Sequence, residues 1–375
     1  IWEPVYGERN KIRDYYNQMI VELREKNKPK RLLDLTFRVY NEGAAFCYTV
    51  KRQKNLESIH ISSENTEFCF LNDYTTWTTY SAQGEYSKTK LSEIKPGCER
   101  PLTVDIAGGP YIALAEARLV DYARMKFAFD ENIFPNETKE EKKYCVISNL
   151  SGEVKSQTPL TTPWRVIMIA DTPGELLENN DIILNLNDPC AIEDTSWIKP
   201  GKVIREVTLT TQGGKTCVDF ALQHNLQYVE FDAGWYGVEN SKESDASFVS
   251  VDPKRSDGPL DLEEVIKYAD QRDIGIILYV NHQALEKQLD DILPIYKKWG
   301  IKGIKFGFVN VGSQHWTSWL HEAIRKAADY QMMVDVHDEY RPTGYSRTYP
   351  NFMTQEGIRG DEARPSSEQT LTILF

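Results

Sequence analysis

The residues best suited to chemistry stand where short apolar runs end in the second half of the chain. The densest group is VHDEY at 336–340, and the acid-rich stretch EGIRGDE follows at 356–362. The candidates, in chain order, are Asp232, Trp235, His282, Lys305, Val336, His337, Asp338 and Glu362. Paired carboxylates beside His suit acid–base work and are the usual tools for cleaving glycosidic bonds. Aromatic rings next to them would let a sugar stack.

Most of these residues also have a purely structural explanation. Asp232 could cap a loop, and His282 could be a hydrogen-bonded histidine at a strand end. Lys305 could be the partner in a structural ion pair. Three polar groups in a row at 337–339 are hard to explain as core, although strand alternation points Glu339 to the opposite side. The spacing therefore favours function most strongly at His337 and Asp338.

The elements that must position these residues change character near residue 198. Before it, short strand-like runs such as LLDLTFRVY (32–40) and PWRVIMIAD (163–171) are separated by polar turns, which predicts a β-sandwich over 1–198. After SWIKPGK (196–202), strands alternate with helix-like segments, which predicts parallel βαβ units over 199–375. About six strands and no GxGxxG favour a (β/α)8 TIM-type barrel over a doubly wound sheet. A complete barrel needs about 250 residues, so we expect an incomplete barrel, roughly strands 1 to 6.

Composition excludes several classes of partner. The net charge of −12 argues against binding to nucleic acid or to an anionic membrane. No run of 18 apolar residues predicts a spanning helix, so no membrane insertion is expected. The six cysteines are scattered without zinc-ligand spacing, and packed or free thiols are favoured over disulfides.

Several longer motifs carry a resemblance that covers the chain from end to end. The sequence resembles glycoside hydrolase family 97, the Bacteroides-type family of α-glucosidases and α-galactosidases. The resemblance implies an N-terminal β-supersandwich, a (β/α)8 barrel and a small C-terminal β domain, with this chain truncated at both ends. The motifs are FRVYNEGAAF (37–46), LAEARLVDY (114–122), TPWRVIMIADTP (162–173), LNLNDPCAIEDTSWIKPGK (184–202), VEFDAGWYG (229–237), KKWGIKGIKF (297–306), RPTGYSRTYPN (341–351) and EGIRGDE (356–362).

The resemblance also implies a choice between two mechanisms. Retaining members carry an Asp nucleophile at the end of strand 4, in text like KVDF, and an acid/base Glu that matches Glu362. Inverting members have Gly at the strand 4 position and a carboxylate after the strand 5 His. This chain reads KFGF at 305–308 and VHDEY at 336–340, so the inverting subgroup is expected, with Gly307 leaving room for a water and Asp338 as general base.

A calcium ion belongs to the implied site, because family members bind Ca²⁺ beside the substrate through carboxylates. Glu116, in the β domain, matches one of these ligands; on sequence alone it is an exposed acid. The general acid and the remaining ligands are expected beyond Phe375. We therefore expect the 375-residue chain by itself to be inactive.

The sequence thus predicts an exo-acting, inverting α-glycoside hydrolase, an α-glucosidase of the bacterial periplasm, acting on an oligosaccharide or α-glycoside. Asp232, Trp235, His282, Lys305, Val336 and His337 would bind the sugar. Two alternatives stay open. One is a retaining α-galactosidase-like enzyme with Glu362 as acid/base, which needs another nucleophile. The other is a non-catalytic carbohydrate-binding protein.

Overall fold

The computed structural model describes residues 1–54, 56–129, 144–337 and 341–357. Fourteen strands and two short helices form the first part. The strands are β1 (Asn17–Arg24), β2 (Leu32–Tyr40), β3 (Gly43–Val50), β4 (Ser58–Ile61), β5 (Glu67–Phe70), β6 (Thr75–Thr78), β7 (Ser87–Lys90), β8 (Leu102–Asp105), β9 (Tyr111–Ala117), β10 (Met125–Phe129), β11 (Tyr144–Leu150), β12 (Val154–Gln157), β13 (Leu160–Thr161) and β14 (Trp164–Ala170). The helices are α1 (Pro173–Glu178) and α2 (Asp181–Asn185).

Antiparallel pairing organises this part into one large and two small sheets. The large sheet has the order β1-β2-β3-β14-β9-β8-β6-β7, with β13 also pairing with β3. The small sheets are β10-β11-β5 and β12-β4. Strand β9 shows how alternation divides the core. Its alanines 113, 115 and 117 pack towards α1 and α2, whereas Leu114 packs into the second cluster with β10 and β11.

The second part alternates strands and helices. Its elements are β15 (Val203–Glu206), α3 (Thr211–Gln223), β16 (Tyr228–Phe231), α4 (Leu262–Asp270), β17 (Gly275–Asn281), α5 (His282–Trp299), β18 (Gly303–Gly307), α6 (Gln314–Asp329), β19 (Met333–His337) and β20 (Phe352–Glu356). The strands pair in parallel in the order β15-β16-β17-β18-β19-β20. A β-rich part followed by an incomplete parallel barrel confirms the predicted fold class.

Local chemistry sets the ends of the barrel helices. Thr210, Asp261, Asn281 and Ser313 are the N-cap residues of α3, α4, α5 and α6, and each side chain accepts a hydrogen bond from a backbone N–H in the first turn. Helix α5 ends at Gly300, whose φ of 88° is left-handed and therefore favours glycine. The caps therefore fix where each barrel helix begins and where α5 ends.

One cysteine prediction is wrong. Cys69 on β5 and Cys145 on β11 are direct cross-strand partners and form a disulfide. Cys47, Cys98, Cys190 and Cys217 are free thiols. The pair is 76 residues apart in sequence, so only the strand register brings the two sulfur atoms together.

Membrane insertion was not expected. Among the helices of the described residues, none combines the length and the apolar character needed to cross a bilayer.

Candidate active site

The carboxyl ends of the parallel strands carry the polar residues. Alternation divides each strand into two faces, since successive side chains point in opposite directions. On β18 and β19, Ile304, Phe306 and Val334 are fully buried in the cluster shared with the helices. The opposite face is polar. It carries Glu230, Tyr279, Asn281, Lys305, Asp335, His337 and Glu356.

Lys305 lies at the centre of this inner face. Its Nζ is 3.4 Å from Glu356 Oε2 and 3.9 Å from Glu230 Oε1. Glu356 also lies 3.3 Å from Nε2 of His337. Glu230, Lys305 and Glu356 come from alternate strands, β16, β18 and β20, as layers in a parallel barrel do. The arrangement links three strands through one ammonium group.

Burial shifts the proton affinities in this group. Desolvation raises the pKa of Glu230 to about 7, although the ammonium of Lys305 opposes the shift. Desolvation likewise raises the pKa of Asp335 to about 6. Burial by itself would lower the pKa of Lys305, but the surrounding carboxylates outweigh it and leave that pKa raised. The hydrogen bond from His337 holds the pKa of Glu356 below its usual value. Near neutral pH the inner face therefore combines protonated and ionised carboxyl groups, which is what acid–base catalysis requires.

The end of β18 brings Gly307 against Tyr279. A Cβ at position 307 would overlap the hydroxyl end of the Tyr279 ring, so the strand can end here only with glycine while that ring stays in place. The hydroxyl group of Tyr279 accepts a hydrogen bond from Asn281 Nδ2 at 3.3 Å. The place from which a side chain at 307 would enter the site is thus filled by a phenol.

Two family models match the chain, one described as the glycosyl-hydrolase 97 N-terminal domain over residues 1–189 and one as glycoside hydrolase 97 over residues 196–358. The chain belongs to glycoside hydrolase family 97. Both matched regions agree with the change from antiparallel to parallel sheets seen in the fold.

Relatives in family 97 are similar over nearly the whole chain. A retaining alpha-galactosidase of Bacteroides thetaiotaomicron is 26% identical, covering 96% of this chain and 58% of its own length. A probable retaining alpha-galactosidase of Streptomyces bingchenggensis is 27% identical, covering 91% of this chain and 52% of its own length. A family 97 enzyme from Pseudoalteromonas sp. strain K8, solved with acarbose, has a TM-score of 0.82 and 26% identity, covering 96% of this chain and 60% of its own. The chain thus spans a little over half the length of these relatives.

The family assignment confirms the resemblance, but the inverting subgroup expected from KFGF and VHDEY is contradicted. Both curated relatives are named retaining alpha-galactosidases. The sequence predicted an α-glucosidase, whereas these two relatives are named as alpha-galactosidases.

The structure brings several of the predicted residues of this family 97 site together. Lys305 and His337 both contact Glu356 in the inner group. Asp232 follows β16, where its Oδ2 lies 3.0 Å from Arg205 Nε and its Oδ1 accepts a hydrogen bond from the backbone of Ala233. His282 opens α5 beside this edge, with Nδ1 2.8 Å from Glu286 Oε1.

Two predicted sugar contacts do not reach the inner face. Trp235 is 0% exposed; it packs on Tyr236, Tyr296 and Trp299 and donates from Nε1 to the carbonyl of Tyr279. Val336 is also 0% exposed and belongs to the cluster shared with the helices. Direct substrate contact is therefore wrong for both: β16 ends before Trp235, and Val336 has the opposite strand parity to His337.

The two predicted catalytic residues, Asp338 and Glu362, lie outside the described residues, as does Glu339. Their roles stay predictions.

Glu116, the predicted calcium ligand, is buried rather than exposed. Its Oε1 lies 2.5 Å from Arg165 Nη1 and its Oε2 lies 2.7 Å from Arg100 Nε. Two guanidinium groups therefore occupy both carboxylate oxygens, and this geometry does not fit a calcium ligand. Within the described ranges no group of three or more His, Cys, Asp or Glu side chains could hold a metal ion.

Glu230, Tyr279 and Asp335, which lie on the inner face, are not among the candidates named from the sequence, nor is Phe308 beside them. Glu230 and Asp335 stand two positions before Asp232 and His337, so the period of two could have placed them on the same face. Phe308 follows the last residue of β18, has a positive φ and is half exposed. No motif in the sequence signals that backbone conformation.

Proposed function

We propose that the protein carrying this chain is an exo-acting hydrolase that releases a terminal α-linked hexose from an oligosaccharide or other α-glycoside. Hydrolysis of glycosides follows from the family, whereas exo action and the sugar are part of the proposal. Its main support is the group in which Lys305 is surrounded by Glu230, Asp335 and Glu356 at the carboxyl ends of the barrel strands, where barrel enzymes place their active sites.

The roles follow from charge and position. Lys305 and His337 are donors that would bind sugar hydroxyl groups, and Glu356 would hold both in place. Burial raises the pKa of Glu230 to about 7, so part of this carboxyl is protonated at neutral pH and would donate to a sugar hydroxyl group. Asp335, with a pKa raised to about 6, is mainly ionised there and would accept from one. Asp338 and Glu362 remain the proposed acid–base residues. The calcium requirement also remains a prediction.

An α-galactoside is the first candidate substrate, since both curated relatives are named for that sugar. An α-glucoside is the second, because related family 97 structures contain acarbose or panose.

We also propose an extracytoplasmic, periplasmic location, because a disulfide such as Cys69–Cys145 forms and persists in an oxidising compartment.

Proton NMR of the full-length protein with aryl α-galactoside and aryl α-glucoside tests the proposal. We expect release of the free hexose from one of them, and Lys305→Ala should abolish it, whereas Lys155→Ala on the sandwich should not. The first anomer observed reports the stereochemical course: the α-anomer means retention, and the β-anomer means inversion.

No hydrolysis of either glycoside by the full-length protein would overturn the proposal. If the same protein then bound the sugars without cleaving them, it would be a carbohydrate-binding protein.

A further inference from the structure

Phe308 has an unusual backbone for a bulky residue. It directly follows the end of β18, and its φ is 50°, in the left-handed region. That conformation brings Cβ close to the following carbonyl oxygen, and it is an outlier for a residue with a bulky side chain. Strain of this kind persists where the surrounding structure enforces it, and it is concentrated at functional sites.

The ring of Phe308 is also placed unusually. It is 49% exposed, although it lies at the carboxyl end of a central barrel strand. The ring packs edge-on with the imidazole of His337, with 4.3 Å between the ring centroids and an interplanar angle of 68°. His337 in turn contacts Glu356, which holds Lys305. The exposed ring therefore borders the polar group described above.

The side chains around the end of β18 leave Phe308 as the aromatic ring exposed there. Tyr279 fills the space beside Gly307 on the inner face, so a side chain cannot enter the site from position 307. Phe306 lies in the buried cluster, whereas the ring of Phe308 stays at the surface of the strand ends.

We propose that Phe308 is the aromatic platform on which the pyranose ring of the terminal hexose stacks. This inference rests on the proposed function and deepens it by naming the surface that receives the sugar. One face of a pyranose presents mainly C–H groups, which pack on an exposed aromatic ring while the hydroxyl groups bind the polar side chains beside it. Phe308 and the His337–Glu356–Lys305 group supply these two kinds of contact next to each other. Trp235, the aromatic residue expected from the sequence, is buried and cannot do this.

Because the backbone of Phe308 is strained, a glycine variant can separate a loss of activity from a loss of stability. Glycine adopts positive φ without steric cost, so Phe308→Gly removes the ring and the strain together, whereas Phe308→Ala removes only the ring. We expect the melting temperature of Phe308→Gly to exceed that of Phe308→Ala and not to fall below that of the wild type. Both variants should lose about tenfold or more in kcat/KM on the aryl α-glycoside that the wild type cleaves. Phe308→Tyr keeps the ring and should stay within a few-fold of the wild type.

Phe220 provides a matched control. It is 43% exposed on helix α3, and its ring meets the His224 imidazole at 4.1 Å between centroids. Phe220→Ala also removes a half-exposed phenyl ring from an imidazole, here tilted by 33° and away from the strand ends, so kcat/KM should not change.

Two results would overturn the proposal. One is unchanged kcat/KM in Phe308→Ala and Phe308→Gly, whatever their melting temperatures, because the ring would then contribute nothing to the reaction. The other is a loss in Phe308→Tyr as large as that in Phe308→Ala, because the platform requires only the ring.

Binding separates this proposal from the proposed function. Saturation-transfer NMR with methyl α-D-galactoside and methyl α-D-glucoside reports contact without turnover. If the wild type binds either sugar but cleaves no glycoside, and Phe308→Ala abolishes the signal, hydrolysis fails and the platform stands. If the wild type cleaves a glycoside and Phe308→Ala binds the sugars unchanged, the platform fails and hydrolysis stands. If neither sugar binds the wild type, the platform is overturned.

Discussion

Tyr279 and Gly307 are coupled sterically across neighbouring strands of the barrel. The Tyr279 ring on β17 fills the space that any side chain on Gly307 of β18 would enter. The hydroxyl group of Tyr279 accepts a hydrogen bond from Asn281 Nδ2, which helps to hold the ring in this place.

This coupling predicts that Gly307→Ala destabilises the fold. Overpacking of a full interior costs about 1–3 kcal/mol, and we expect a loss of that size in the free energy of unfolding, measured by urea denaturation. In a Tyr279→Ala background the same substitution should cost much less, because the space is then empty. Gly174→Ala on α1 is the control, since its Cβ would meet only one atom, at ordinary contact distance. Equal costs of Gly307→Ala in both backgrounds would contradict the coupling.

Glu230 should make stability depend on pH. Its pKa rises from 4.5 to about 7 on folding, mainly through desolvation, so the folded state binds the proton more tightly than the unfolded state. A raised carboxyl pKa gives a contribution that is fully present below about pH 4.5 and is lost as the pH rises through about 7. The free energy of unfolding of the wild type should fall relative to Glu230→Gln across that window, by at most about 3 kcal/mol.

Chemical denaturation of both proteins between pH 4 and pH 8 measures this difference. Glu57→Gln, at an exposed acid, is the control and is measured over the same range. A difference between the wild type and Glu230→Gln that does not change with pH would mean that the carboxyl group of Glu230 is not desolvated in solution.

Glu116 should act as a structural anion and not as a calcium ligand. Its removal in Glu116→Gln leaves Arg165, which is fully buried, with one carboxylate partner fewer, and breaking a buried ion pair costs about 3–5 kcal/mol. The loss in the free energy of unfolding should be the same in calcium and in a chelator. Glu153→Gln, which breaks the exposed pair with His60, should cost little. Calcium that stabilises the wild type but not Glu116→Gln would restore the predicted metal role.

The disulfide should be visible in a thiol count. Thiol titration of the denatured protein should find two more thiols after reduction than before it, because Cys69 and Cys145 are released. Removing the bond in a Cys69→Ser, Cys145→Ser double variant should lower the free energy of unfolding by about 2–5 kcal/mol, because the bond closes a long loop in the unfolded chain. Cys190→Ser, at an exposed thiol, is the control. If the double variant released as many thiols on reduction as the wild type does, the bond would be contradicted.

Much of the barrel could be predicted because the information is local. Runs such as IGIILYVNH and IKGIKFGFV have the length and the β-branched content of buried parallel strands, and β17 and β18 lie within them. Lys305 and His337 could be placed at strand ends by the same reading, and both lie in the polar group. The predictions for Trp235 and Val336 were wrong for two reasons. Strand β16 ends before Trp235, and Val336 points to the opposite face of β19 from His337.

The sequence by itself determined the order of the two parts, the parallel strands and the polar composition of their carboxyl ends, because hydrophobic periodicity and turn residues act over a few positions. Only the tertiary structure decided which groups meet. Tyr279 lies against Gly307, Arg100 and Arg165 meet Glu116, and Cys69 meets Cys145, in each case through strand pairing or packing between distant segments. The raised pKa values of Glu230 and Asp335 were also decided by the tertiary structure. Desolvation depends on which groups cover a carboxyl group and not on its neighbours in sequence.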